Sequence, residues 1–123
     1  ENDPKARETY IQMNGKEVFT FAVSKVPEAI KTLLYREKIS YGDIRYYLLH
    51  QANERIIRSA ARRLGEDISK FPMNMDRYGN TSSASLLILL DEVKKSGKLQ
   101  KGDKLVLAGF GGGLTYGASL IEY

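Results

Sequence analysis

Cysteine is absent from this sequence, which excludes disulfides, thiolate metal sites and any cysteine nucleophile within the chain. Histidine occurs once, at His50. A metal centre would have to be built mostly from carboxylates, and none cluster at suitable spacing, so no metal is expected. No apolar run approaches the roughly 18 residues of a membrane span, and the charged N-terminus is no signal peptide. The expectation is a cytoplasmic protein with no membrane partner. Internal repeats and low-complexity tracts are also lacking. Charge imbalance is slight: a formal net charge of +4 favours an anionic partner without naming one. The basic residues have no interleaved aromatic platform, which argues against nucleic acid.

What is present is the make-up of an ordinary globular domain. Hydrophobic residues are 42% and charged residues 28% of 123 positions, enough for one domain with a real core. Residues 1–8 are charged and carry Pro4, so they read as a frayed start or a cut linker. Residues 9–13 read as a short strand or extended loop, closed by the Asn14-Gly15 turn signal. Residues 17–38 have helical periodicity through Phe21, Val26, Ala29, Ile30, Leu33 and Leu34. Pro27 within it costs about 3 kcal/mol in a helix interior, which predicts a kink or break near Ser24.

A turn at Ser40-Tyr41-Gly42-Asp43 leads to a strand over residues 45–49. A helix over 54–64 ends at Gly65, a good C-cap. Ile56, Ile57, Ala60, Ala61 and Leu64 share its core face, and Arg55, Arg58 and Arg62 share the opposite one. That stripe is either a solvated face or an anion-docking surface. Residues 67–76 read as irregular, with Phe71-Pro72-Met73 a candidate edge strand. The next helix begins after Asn80, with Thr81, Ser82 or Ser83 as its cap, and ends near Lys95-Ser96-Gly97. Its first half, Ala84-Ser85-Leu86-Leu87-Ile88-Leu89-Leu90, is apolar nearly all round, as in a helix buried on every side. A lone domain of this size would leave one face of each helix wet, so something outside the chain should cover this one. Residues 103–110 form a strand covered on both faces, and residues 114–122 return antiparallel to it. The order helix, strand, helix, helix, strand, strand specifies an α/β layered fold.

His50 ends a strand just before a helix starts, where open α/β sheets place ligand chemistry. On that stretch alone it is equally a core histidine. Asn80 offers an amide donor or a turn residue. Gly111, Gly112 and Gly113 offer backbone donors and close approach, or simply a hairpin corner. Together, imidazole, amide and backbone donors suit an oxygen that gains negative charge. Ser82, Ser83 and Ser85 lie nearby, but no acid–His pair activates them, so a serine hydrolase is disfavoured.

Three motifs in order, His50-Gln51-Ala52-Asn53, Gly79-Asn80-Thr81-Ser82 and Gly109-Phe110-Gly111-Gly112-Gly113-Leu114-Thr115-Tyr116-Gly117, resemble the C-terminal half of β-ketoacyl-acyl carrier protein synthase III. This is the initiating condensing enzyme of type II fatty acid synthesis, in the thiolase-like superfamily. The resemblance runs from about Tyr10 to Tyr123. It implies that residues 1–123 are one α/β half-domain, a mixed sheet with helices on both faces, of a five-layered αβαβα enzyme. The apolar helix after Asn80 would be the central buried one. The family's catalytic Cys-His-Asn set maps here onto His50 and Asn80, the Cys lying in the absent N-terminal half, so the segment alone should be inactive.

The implied reaction is a decarboxylative Claisen condensation of acyl-CoA, typically acetyl-CoA, with malonyl-acyl carrier protein. Gly112 would serve the oxyanion hole that holds the acyl thioester. Asn53 matches a pantetheine contact, Met13, Phe19 and Ala22 match the channel walls, and Arg55 matches a docking residue for the acidic carrier protein. No cofactor is implied beyond CoA-thioester and phosphopantetheine-bound substrates. The family forms homodimers, mainly through its other half. Alternative readings are a related thiolase-superfamily synthase with another acyl substrate, and a non-catalytic CoA- or carrier-protein-binding module.

Overall fold

The computed structural model describes residues 12–123. The expectations for residues 1–8, and for most of 9–13, lie outside the described residues. Helix α1 spans Gly15–Glu37, and the side chain of Asn14 caps it by accepting from the Glu17 N–H at 3.3 Å. Asn14-Gly15, expected as a turn, is therefore a helix start. The helix also runs unbroken through Pro27, against the expected interruption near Ser24. Pro27 is itself buried, beside Val26, Ile30, Leu33 and Leu34. Burying one such aliphatic side chain stabilises by roughly 1.5–3 kcal/mol, so this face together outweighs the proline's cost of about 3 kcal/mol.

Strand β1 (Ile44–Leu49) follows a single 3₁₀ turn at Tyr41–Asp43. Helix α2 (Glu54–Leu64) is capped by Asn53 and closed by Gly65 at φ +70°. Residues 67–76 contain no strand. A 3₁₀ turn at Ile68–Lys70 is followed by the short helix α3 (Met75–Tyr78), while Phe71 is buried and stacks on Tyr47 with ring centroids 4.7 Å apart. That long-range ring contact gives the apolar Phe71-Pro72-Met73 triplet a partner without a ladder. Helix α4 (Ala84–Lys95), strand β2 (Lys104–Gly111) and strand β3 (Thr115–Glu122) complete the chain.

The sheet order is β1-β2-β3, with β1 parallel and β3 antiparallel to the central β2. Alternation sorts its side chains between two layers. Tyr47, Leu49, Val106 and Ala108 pack with Val26 and Ile30 of α1 and Ile57, Ala60 and Leu64 of α2. Leu48 and Leu105 pack with Leu89 and Val93 of α4. Helices thus cover both faces of a mixed sheet, as expected. The expectation of a helix buried on every side is not met within the chain. Ser85, Leu89 and Val93 of α4 are buried, whereas Ala84 is exposed and Leu87 is 67% exposed.

Candidate active site

The parallel pairing of β1 with β2 fixes the position of His50. One residue beyond the strand, its backbone N–H still donates to the Ala108 carbonyl at 2.9 Å, and its own carbonyl accepts from the Ala52 N–H at 3.0 Å. The chain then enters α2 through Asn53, whose Oδ1 accepts from the Arg55 N–H at 2.8 Å. The imidazole is half-buried, edge-on to Phe110 at 5.3 Å, with Nδ1 2.6 Å from the Ser85 hydroxyl oxygen. Burial lowers its pKa from the ordinary 6.5, so the ring is neutral at pH 7. The penalty for charging it is absent above pH 6.5 and grows as pH falls below that value.

Asn80 lies in the loop between α3 and α4. Its Oδ1 accepts from the Ser82 N–H at 2.9 Å, which closes an Asx turn and leaves Nδ2 without a partner among the described residues. The loop needs unusual backbone at two points: Gly79 at φ +65°, ψ −156°, and Ser82 at φ +56°. The first combination is accessible essentially to glycine alone. None of the expected hydroxyl caps forms, since Ser83 at the N-cap of α4 makes no side-chain capping bond. The third motif contributes a 3₁₀ turn at Gly112–Leu114, with positive φ at Gly113 and Leu114.

These three segments meet. A cleft of about 700 Å³ is lined by His50, Asn53, Asn80, Gly111, Gly112 and Gly113, with Met13 and Phe19 on its α1 side. Asn80 Nδ2 and the His50 Nε2 are uncommitted among the described residues, so the cleft presents two side-chain donor positions. Arg55 is not among the residues lining the cleft, but its guanidinium lies 5.1 Å from the ring centre of Phe19, which is. It makes no ion pair among the described residues, whereas Arg58 is held by Glu54 at 2.6 Å. Ala22, expected on a channel wall, is wholly buried and is not among the residues lining the cleft. Among the described residues, no three His, Cys, Asp or Glu side chains are grouped to hold a metal ion.

Sequence reasoning missed the scaffold behind the donors. Gln51 is wholly buried; its Oε1 accepts from the Asn74 N–H at 3.0 Å and its Nε2 donates to the Leu49 carbonyl at 2.8 Å. Asn74 in turn donates to Glu92 at 2.8 Å, and Arg77 pairs with the same carboxylate. Those contacts, the Asn74 amide foremost, hold the Glu92 carboxyl below its ordinary range. One buried amide thus ties the His50 strand end to the segment that leads to Asn80. The signal was a glutamine two residues beyond an apolar strand, read only as part of a motif. Gln51→Leu should lower the unfolding free energy by roughly 2–4 kcal/mol, because it strands buried backbone groups. Denaturant titration checks this, and a loss below about 1 kcal/mol would remove the bracket role.

Residues 34–123 match the family described as 3-oxoacyl-[acyl-carrier-protein] synthase III C terminal. A β-ketoacyl-[acyl-carrier-protein] synthase III of Clostridium botulinum (strain Loch Maree) is 47% identical over 122 residues, covering 99% of this chain and 37% of its own length. The crystal structure of the Thermus thermophilus synthase III aligns at a TM-score of 0.88 and 41% identity, covering 91% of this chain and 35% of that one. The Aquifex aeolicus synthase III aligns at 0.89 and 39%, covering 93% and 37%. The chain spans little more than a third of the relatives it matches.

Proposed function

The chain belongs to the C-terminal 3-oxoacyl-[acyl-carrier-protein] synthase III family, and from that premise we propose that it is the enolate-stabilising half of a decarboxylating condensing enzyme in fatty acid initiation. The carrying observation is the convergence of His50 and Asn80, from separate loops, on one cleft with a ring nitrogen and an amide nitrogen uncommitted. In this reading malonyl-acyl carrier protein places its thioester carbonyl between those donors. The bond to the malonyl carboxylate breaks, carbon dioxide leaves, and the electron pair spreads onto the thioester oxygen. The enolate carbon then attacks an acyl group, acetyl in the simplest case, held as a thioester on a cysteine of the N-terminal half. A carbon–carbon bond forms, the carbon–sulfur bond breaks, and thiolate departs. The Gly112 N–H belongs to the oxyanion hole of that second step.

Ser85 and His50 do not form a hydrolytic pair here, because Ser85 is buried and is not among the residues lining the cleft. Ser82 does line it, but no base contacts its hydroxyl among the described residues. The chain alone is expected to be inactive, and the intact protein is expected to dimerise through its other half. The test is carbon dioxide release from malonyl-acyl carrier protein by the intact protein, together with a covalent acetyl adduct after acetyl-CoA. A folded intact protein that yields neither would end the reading.

Arg55 supplies the docking charge in this reading. It is exposed, has no ion pair among the described residues and lies against Phe19 of the cleft wall, whereas a neighbouring cation is already neutralised by Glu54. Arg55→Glu is expected to raise KM for the carrier-protein substrate about tenfold, or ~1.4 kcal/mol, with acylation from acyl-CoA little changed. Steady-state kinetics with both substrates checks it, and an unchanged carrier-protein KM would remove the role.

A further inference from the structure

The Ser85 hydroxyl stands where an imidazole's tautomer is decided. An alcohol has one hydrogen to give and two lone pairs to offer. The Gln51 N–H takes one lone pair of Ser85 Oγ at 3.2 Å, and His50 Nδ1 lies 2.6 Å from the same oxygen. Ser85 is buried on the inward face of α4, and its side chain has no further partner among the described residues. If Nδ1 carried the ring proton, both lone pairs would be used and the hydroxyl hydrogen would be left buried without an acceptor. If Nδ1 is bare, every group is satisfied: the amide donates to the oxygen, and the hydroxyl donates to the ring. The second arrangement wins, because an unmet buried donor is the costly outcome.

We propose that Ser85 is a positioning residue that donates its hydroxyl hydrogen to His50 Nδ1 and so keeps the single ring proton on Nε2, the nitrogen that meets the developing enolate oxygen. This rests on the enolate reading above. The hydrogen bond one imidazole nitrogen makes fixes which form the other presents. The Gln51 N–H sharpens the effect, because as a donor it can take no hydrogen from the hydroxyl, which leaves Nδ1 as the acceptor within reach. Ser85 is also the only polar residue in the run from Ala84 to Leu90, which has no reason to interrupt an apolar helix face unless the hydroxyl is used.

The test uses the intact protein that carries this chain, with nitrogen-15 in its histidines and His50→Ala to assign the ring. The native His50 should show a bare Nδ1 and a protonated Nε2. Ser85→Ala should mix the two tautomers and lower kcat for malonyl decarboxylation about 10- to 100-fold, the range for hydrogen-bond partners behind metal-bound imidazoles. KM for malonyl-acyl carrier protein and the rate of cysteine acylation should hold, and Ser85→Thr, which keeps the hydroxyl, should recover most of the loss. A native ring protonated on Nδ1 would overturn the proposal, and the native spectrum decides this even if the alanine variant does not fold. So would Ser85→Ala with an unmixed tautomer and full kcat. Full decarboxylation by His50→Ala would instead remove the enolate reading, and the native tautomer would show which of the two had failed.

Discussion

Malonyl decarboxylation by the intact protein is expected to fall about 10²- to 10³-fold on His50→Ala, and similarly on Asn80→Ala, the range for losing one donor to a developing oxyanion. The reason is geometric. Both side chains line one cleft, and each keeps one nitrogen uncommitted because its other polar atom is engaged behind it: Nδ1 with Ser85, Oδ1 with the Ser82 N–H. In the proposed reaction, acylation of the cysteine in the N-terminal half develops charge on a different oxygen, so it should survive both changes within a few-fold. The two substitutions together should cost less than the product of their separate effects, since the donors act on one atom. Carbon dioxide release and acyl-adduct formation, measured separately, check this. Equal loss of both half-reactions would refute the assignment.

The second large effect concerns α4. In the isolated chain Leu87 is 67% exposed beside an exposed Ala84, on a helix whose opposite side is packed on Leu48 and Leu105. If the rest of the enzyme covers this face, the isolated segment should bind an apolar dye and self-associate. Leu87→Asp should suppress both in the isolated segment. In the intact protein the same change would bury an unpaired carboxylate, at a cost of several kcal/mol, and soluble yield or thermal stability should collapse. Opposite signs in the two settings are the expected signature. An intact protein indifferent to Leu87→Asp would show that this face stays in water.

The parts of this fold legible in the sequence were those decided locally. Helix α2 follows its apolar stripe from Glu54 and stops at Gly65, where a left-handed residue closes it. Strand β1 and the placement of His50 at its end follow from a short aromatic and aliphatic run bounded by turn residues. The meeting of the His50, Asn80 and glycine segments was legible through a three-motif resemblance, not from periodicity. What escaped was set by contacts far apart in the chain. Pro27 is carried by a buried face that local propensity does not see. Phe71 is held by Tyr47 across the fold, so its apolar triplet needs no strand. Ser85 was weighed in the sequence only as one of three serines with no base to activate them, but the register of α4 turns it inward to His50 and Gln51. Ala22 matched a wall residue through the resemblance, while the structure buries it completely.

Ser85 and Leu87 stand on the same turn of α4 and look in opposite directions, one toward the imidazole and the other outward. A lesion at the outer position can therefore travel through the thickness of a single helix. Screens for loss-of-function alleles in the intact protein should recover substitutions at Leu87 alongside those at His50, although Leu87 does not line the cleft. Milder replacements that spare folding, with acyl loading retained and carbon dioxide release impaired, would mimic a chemical defect. Scoring such alleles by distance from the cleft alone would misfile them as neutral.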